Sequence, residues 1–219
     1  KNLPKSESFE AKLHNENVIR KKKINAEINK IQDSWSFSNT LNMLNTRYII
    51  YDPTADPIIN KESIGNAWFV NDVIPVKNAN EEMDFLDSFN PVTTAIIDDR
   101  FLDRYSVPIK ENNATISLDL ESYKPNHLTY TLENITSDQL AVFSEIYYEK
   151  GWNAYIDGKK VPYFRANYVL RAMMIPSGTI KVEFKFEPST YKTGEKVSLA
   201  SSIILLLLLS FVSFKELKT

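Results

Sequence analysis

The chain has no cysteine among its 219 residues, which removes disulfides, thiolate metal sites, iron–sulfur clusters and cysteine nucleophiles together. Its two histidines, His14 and His127, fall in different segments, so no local metal site with histidines at helical or hairpin spacing can be drawn. Glycine is scarce, 5 residues beside 10 prolines, and that proportion excludes collagen-like and low-complexity sequence. Neither sign of charge prevails: 26 Lys and Arg against 28 Asp and Glu leave −2. A general nucleic-acid binder needs a cationic surplus for its phosphate contacts, so no nucleic-acid partner is expected. Nucleophile-elbow, phosphate-loop, dinucleotide-fold and zinc-protease patterns are all missing. We therefore assign no catalytic residue, no metal and no cofactor, and an independent soluble hydrolase is the weakest reading.

What is present is apolar: 43% hydrophobic and 12% aromatic residues suffice for one large or two small cores. The strongest local signal is Val197 to Phe214, 18 residues without a charge, holding five consecutive leucines from Leu205 to Leu209. That length covers roughly 30 Å of hydrocarbon at about 1.5 Å per residue. A soluble core helix would keep a polar stripe, whereas the serines here can bond back to their own helix. We expect a transmembrane helix. The chain opens on Lys1 without a signal peptide, as the end of a longer protein would. Lys192 and Lys196 precede the span and Lys215 and Lys218 follow it, so charge alone does not orient it.

From Lys12 to Leu44 the period is helical: Ile24, Ile28, Ile31 and Trp35, then Phe37, Leu41 and Leu44, with a break expected near Asp33 to Ser38. The basic run Arg20 to Lys23 reads as a solvated helix face, with contact to anionic lipid as the alternative. Strands are expected at Tyr48 to Tyr51, Ala67 to Val70, Val73 to Val76 and Ala95 to Ile97. Asp52 and Asp56 each precede proline and read as turn residues. Asn78 or Asn80 can cap a short helix over Glu81 to Phe89.

The later half alternates with period two over Ile116 to Leu120, Leu128 to Leu132 and Ile180 to Phe186, as strands with one wet face do. Leu140 to Tyr148 carries apolar residues on both faces and should be a central strand covered on each side. Asp157-Gly158, between Trp152 to Ile156 and Val161 to Phe164, marks a hairpin whose turn needs positive φ. The expectation is a mainly β fold with added helices: a helical segment (1–46), a small α+β region (47–110), an antiparallel, jelly-roll-like β-sandwich (111–190) and a C-terminal transmembrane helix with a short tail (191–219).

For chemistry, Asp98-Asp99 followed by Arg100 and Arg104 reads as a loop or a salt-bridged edge and not a shared catalytic site, since neighbours on a strand point to opposite faces. Asn113-Ala114-Thr115 and Asn134-Ile135-Thr136 match the glycosylation tripeptide, a pattern frequent by chance. More prominent is a group of aromatics and arginines around Tyr147, Tyr148, Trp152, Tyr155, Tyr163, Arg165, Tyr168 and Arg171. Rings stack on the apolar faces of sugars while Arg and Asn supply directed hydrogen bonds. Trp152, Tyr155, Arg165, Asn167, Tyr168 and Arg171 are therefore the candidate ligand-binding residues, with ordinary sandwich core as the competing reading.

Several stretches resemble the C-terminal part of the YfhO-type family of bacterial polytopic membrane proteins. They are LNMLNTRYIIYDP at Leu41 to Pro53, GNAWFV at Gly65 to Val70, EIYYEKGWNAYIDGKKVPYFRANYVLRA at Glu145 to Ala172 and IPSGTIKVEFKFEPSTYKTG at Ile175 to Gly194. This chain departs from the family pattern at Glu149-Lys150, where a proline would precede Gly151-Trp152. The resemblance implies a glycosyltransferase-like parent that uses a lipid-phosphate sugar donor outside the cytoplasm, with its catalytic acidic residues in a membrane-embedded N-terminal part. It implies that residues 1–190 are an extracytoplasmic accessory domain, that the tail is cytoplasmic, and that the partners are the membrane, the parent's own N-terminal part and a glycan or lipid-linked sugar. The alternative is a noncatalytic structural or partner-binding sandwich with no ligand of its own.

Overall fold

The computed structural model of the protein describes residues 9–35, 38–50, 52–54, 56–106, 114–119 and 122–216. The readings made at Phe37, Tyr51, Asn113, Leu120 and Lys218 lie outside the described residues.

The first described elements are α1 (Phe9–Trp35) and α2 (Asn39–Met43). Ser38 caps α2, its side chain accepting from the Leu41 N–H, which satisfies one of the donors a helix start leaves over. The short strands β1 (Tyr48–Ile49) and β2 (Ile58–Ile59) pair antiparallel. Asp52 begins the turn between them by accepting from the Thr54 N–H at 2.8 Å, the expected Asx geometry.

Two antiparallel sheets form the body. The first contains β3 (Ala67–Val70), β8 (Gln139–Ile146), β11 (Phe164–Ala166) and β12 (Leu170–Ile175), in the order β11-β12-β8-β3. The second runs β10-β9-β13-β7-β6, with β6 (Thr115–Leu118), β7 (His127–Glu133), β9 (Trp152–Ile156), β10 (Lys159–Val161) and β13 (Lys181–Phe186). Alternation along each strand sends one set of side chains between the sheets. There Phe143 and Met173 meet Leu128, Tyr130, Val182 and Phe184 in one buried cluster. Tyr130, Phe143 and Phe184 pack edge to face with centroids 4.9, 5.0 and 6.2 Å apart, each pair adding roughly 0.5–1.5 kcal/mol to plain burial.

The back of the four-stranded sheet is covered by a third layer. It holds β4 (Asp72–Val76) and β5 (Thr94–Asp98), which pair in parallel, and α3 (Ala79–Phe85) between them in sequence. Trp68, Val70, Leu140, Val142 and Phe164 pack here on Met43, Val76, Phe89 and the β5 residues Ala95, Ile96 and Ile97. Covered on both sides, β8 is buried from Gln139 to Phe143. Its two-sided burial ends there, because the register with β12 shifts opposite Leu170 and Arg171, and a bulge re-aims the strand that carries it. Beyond it Ile146 and Tyr148 are exposed. The four-stranded sheet also reaches outside residues 111–190, since β3 pairs with β8 as its edge.

Asp157 and Gly158 turn the chain between β9 and β10 with φ of 46° and 82°, the left-handed pair that a two-residue hairpin requires. Two residues after β13 comes α4 (Ser189–Glu216), whose Ser189–Phe211 stretch is long and apolar enough to cross a membrane and has none of its apolar window buried. Ser201, Ser202 and Ser210 donate to carbonyls four residues back at 2.8–2.9 Å, so their hydroxyls are satisfied within the helix.

Candidate functional site

The six candidate residues divide between two environments. Arg171 extends from β12 toward the space between the sheets and is buried. Its guanidinium carbon lies 4.3 Å from the Trp152 ring centroid and 5.0 Å from that of Phe184, and its Nε donates to the Ile146 carbonyl at 3.0 Å. Burial holds its pKa below the ordinary arginine value, against the attraction of Glu145. Tyr155, on β9, donates its hydroxyl to Glu187 at 2.6 Å. These contacts make Trp152, Tyr155 and Arg171 parts of the five-stranded side and its interior.

Arg165, Asn167 and Tyr168 belong to the β11–β12 hairpin, which docks against the third layer. Asn167 and Tyr168 both have left-handed backbones, with φ of 48° and 69°. Asn tolerates that conformation better than most residues. Asn167 is fully buried and meets β5 twice: its N–H donates to the Ile96 carbonyl at 2.9 Å, and its Oδ1 accepts from the Ile96 N–H at 2.8 Å. Glu82, buried on α3, accepts from the Tyr168 N–H at 2.6 Å and from Arg165 Nη2 at 2.7 Å. Burial raises the Glu82 pKa, and these two donors oppose the rise.

Beside this dock is an open cleft of about 430 Å³, lined by Arg100, Phe101, Ile146, Tyr147, Glu149, Arg165, Tyr168 and Val169. Asp98, at the end of β5, fixes its cationic side. It accepts from Arg100 Nε at 3.0 Å and Nη2 at 2.8 Å, and Arg165 Nη2 lies 3.6 Å away. The Arg100 side-chain bonds, opposed by burial, hold the Asp98 pKa below its ordinary value. Asp98 also caps the 3₁₀ turn Asp99–Arg104 through the Arg100 N–H, so one carboxylate positions both the turn and the guanidinium. The Arg100 side chain remains 66% exposed and faces a cleft walled by Phe101, Tyr147 and Tyr168. Chemically, such a cleft can place a cation on a phosphate or carboxylate and rings against a sugar.

The structure thus brings Arg165 and Tyr168 to one cleft, puts Asn167 behind it as a positioning residue, and leaves Trp152, Tyr155 and Arg171 outside its lining. Tyr147 was legible as part of the aromatic group and Arg100 as part of the salt-bridged edge. Phe101 and Glu149 carried no separate signal. Nor did Glu82, which is 83 positions from the arginine it holds.

Residues 105–198 match the family model described as bacterial membrane protein YfhO. No curated protein and no solved structure matches the chain. The matched stretch takes in every strand from β6 to β13 and the beginning of α4, so the family resemblance holds across most of the sandwich. Together with the exposed apolar helix, it points to membrane association and to an accessory region of a membrane protein.

Proposed function

We propose, from YfhO-family sequence joined to a membrane-crossing helix, that the chain is an extracytoplasmic accessory domain of a multispanning, glycosyltransferase-like protein. On this reading α4 returns the chain to the cytoplasm, and the cleft holds the anionic or sugar part of a cell-envelope glycan acceptor or lipid-linked donor. The observation that carries it is the exposed Arg100 guanidinium set among Phe101, Tyr147 and Tyr168, because charge and ring faces converge on one concavity. A purely structural sandwich would enclose Trp152, Tyr155 and Tyr168. All three are half-buried, and Arg100 and Arg165 border open space. Burial of Asn167 and Arg171 is what favours the structural reading for those two positions.

The test is binding of a polyprenyl-phosphate hexose to the full chain in nanodiscs, compared with Arg100→Ala and Tyr168→Ala. Loss of one charge-assisted bond predicts about tenfold weaker binding for Arg100→Ala, or ~1.4 kcal/mol. Tyr168→Ala should weaken it by a similar factor through the lost ring. Binding equal in all three proteins, or absent in the unaltered chain, would remove the ligand from the proposal and leave the scaffold.

A further inference from the structure

The two ends of the sandwich differ in chemistry. At one end are the turns Pro176–Gly178, Asp157–Gly158 and Asn134–Asp138, held by polar bonds such as Ser177 N–H to Asp138 and Lys181 N–H to Asp157. At the other end β8 runs out at Ile146, β9 begins at Trp152, β13 finishes at Phe186, and α4 starts. Here large apolar side chains face outward: Tyr123 is 50% exposed, Ile146 57%, Tyr148 52%, Phe186 40% and Tyr191 68%. Exposed Lys124 and Lys150 stand among them.

These residues share one end by direct connection. The Glu187 N–H donates to the Gly151 carbonyl at 2.6 Å, the Phe186 N–H donates to the Asn126 carbonyl at 2.9 Å, and the Tyr147 N–H donates to the Val169 carbonyl at 2.7 Å. The loops 123–127 and 147–151 therefore surround the point from which the apolar helix departs. Tyrosines mixed with lysines beside a membrane-crossing helix are the composition that a bilayer interface selects. Left in water, so many apolar side chains at one end would be a liability.

We propose that this rim is a membrane seat: Tyr123, Ile146, Tyr148, Phe186 and Tyr191 enter the headgroup and upper acyl region around α4. The seat rests on α4 crossing the bilayer, as read above. It deepens that reading, because Ile146, Tyr147 and Glu149 belong both to this end and to the cleft. The cleft then opens at headgroup height, where the phosphate of a lipid-borne ligand lies, and not toward a soluble one.

The native absence of cysteine makes the test clean. Tyr148→Cys, Ile180→Cys and Leu207→Cys are made singly in the full chain and labelled with an environment-sensitive fluorophore. Each is reconstituted into vesicles of phosphatidylethanolamine and phosphatidylglycerol, with or without brominated acyl chains, and near-UV circular dichroism checks the fold. Ile180 is the control, an exposed apolar residue at the polar end. Brominated lipid should quench the labels at 207 and 148, the latter by more than about half, and leave 180 unchanged, as shallow interfacial burial requires. Quenching at 207 with 148 behaving like 180 would overturn the seat and assign the rim to a protein surface. No quenching at 207 would overturn the membrane-crossing reading, and the seat with it.

Discussion

Asn167 does with a side chain what a strand does with its backbone. Its N–H and Oδ1 make a two-bond exchange with Ile96, so the hairpin is fastened to β5 where no further strand can pair. The left-handed backbone suits Asn, and the buried Ile96 N–H has no other acceptor in that exchange. Asn167→Ala leaves that donor unpaired and puts in the left-handed region a residue that tolerates it less well than Asn, together about 3 kcal/mol of lost stability. Asn167→Gly relieves only the strain and should cost about 1 kcal/mol less. Urea unfolding of the two variants checks both the size and the order. Glu82 complements Asn167 from the neighbouring helix. It offers one oxygen to the Tyr168 N–H and the other to Arg165, which spares a buried carboxylate most of its desolvation cost. The cleft's arginine is thereby aimed by a residue that never faces the cleft.

The five-stranded sheet carries an acid-labile cluster on the outward face of β13. Glu183 is buried there and pairs with His127 at 2.9 Å, Lys185 at 3.1 Å and Lys181 at 3.2 Å. Burial pushes its pKa up, but the bonds from His127 and the lysines outweigh it and bring the value from 4.5 to about 2. A depressed carboxylate contributes stability that is complete above its unfolded pKa and is lost as pH falls through the folded one. Stability should therefore decline between about pH 4.5 and 2, by roughly 1–3 kcal/mol once solvent screening of the lysines is allowed for. Glu183→Gln should flatten that part of the denaturation profile. The strands themselves were largely legible in the sequence. Period-two runs at Leu128 to Leu132 and Ile180 to Phe186 mark β7 and β13, and Asp157-Gly158 marks their neighbouring hairpin, because local chemistry dictates alternation and turn type. The cleft was not legible. Its salt bridge joins Glu82 to Arg165 across 83 positions and its anchor joins Ile96 to Asn167 across 71, distances at which no spacing rule operates. Arg171 was grouped with Arg165 for the same reason: the two are direct register partners on β11 and β12, and only contacts distant in sequence send one guanidinium to Trp152 and the other to Glu82.

At the scale of the whole molecule, the described side chains of α4 are all exposed and its apolar window buries nothing against the sandwich. Hydrophobic stabilisation scales with area removed from water, so the helix adds none to the β layers. Truncation after Pro188 should leave the thermal midpoint of the sandwich unchanged while abolishing the need for detergent, which size-exclusion chromatography and calorimetry check together. A shared drop in midpoint would mean that the leucines pack on the protein after all. The junction limits how the two parts can move. Glu187 is tied to the Gly151 carbonyl, Asn153 and Tyr155, and Pro188 alone separates it from the first helical residue, Ser189. No slack exists for the sandwich to tumble like a ball on a string. Any roll or tilt of the helix would swing the whole body through a matching arc, making α4 a steering column.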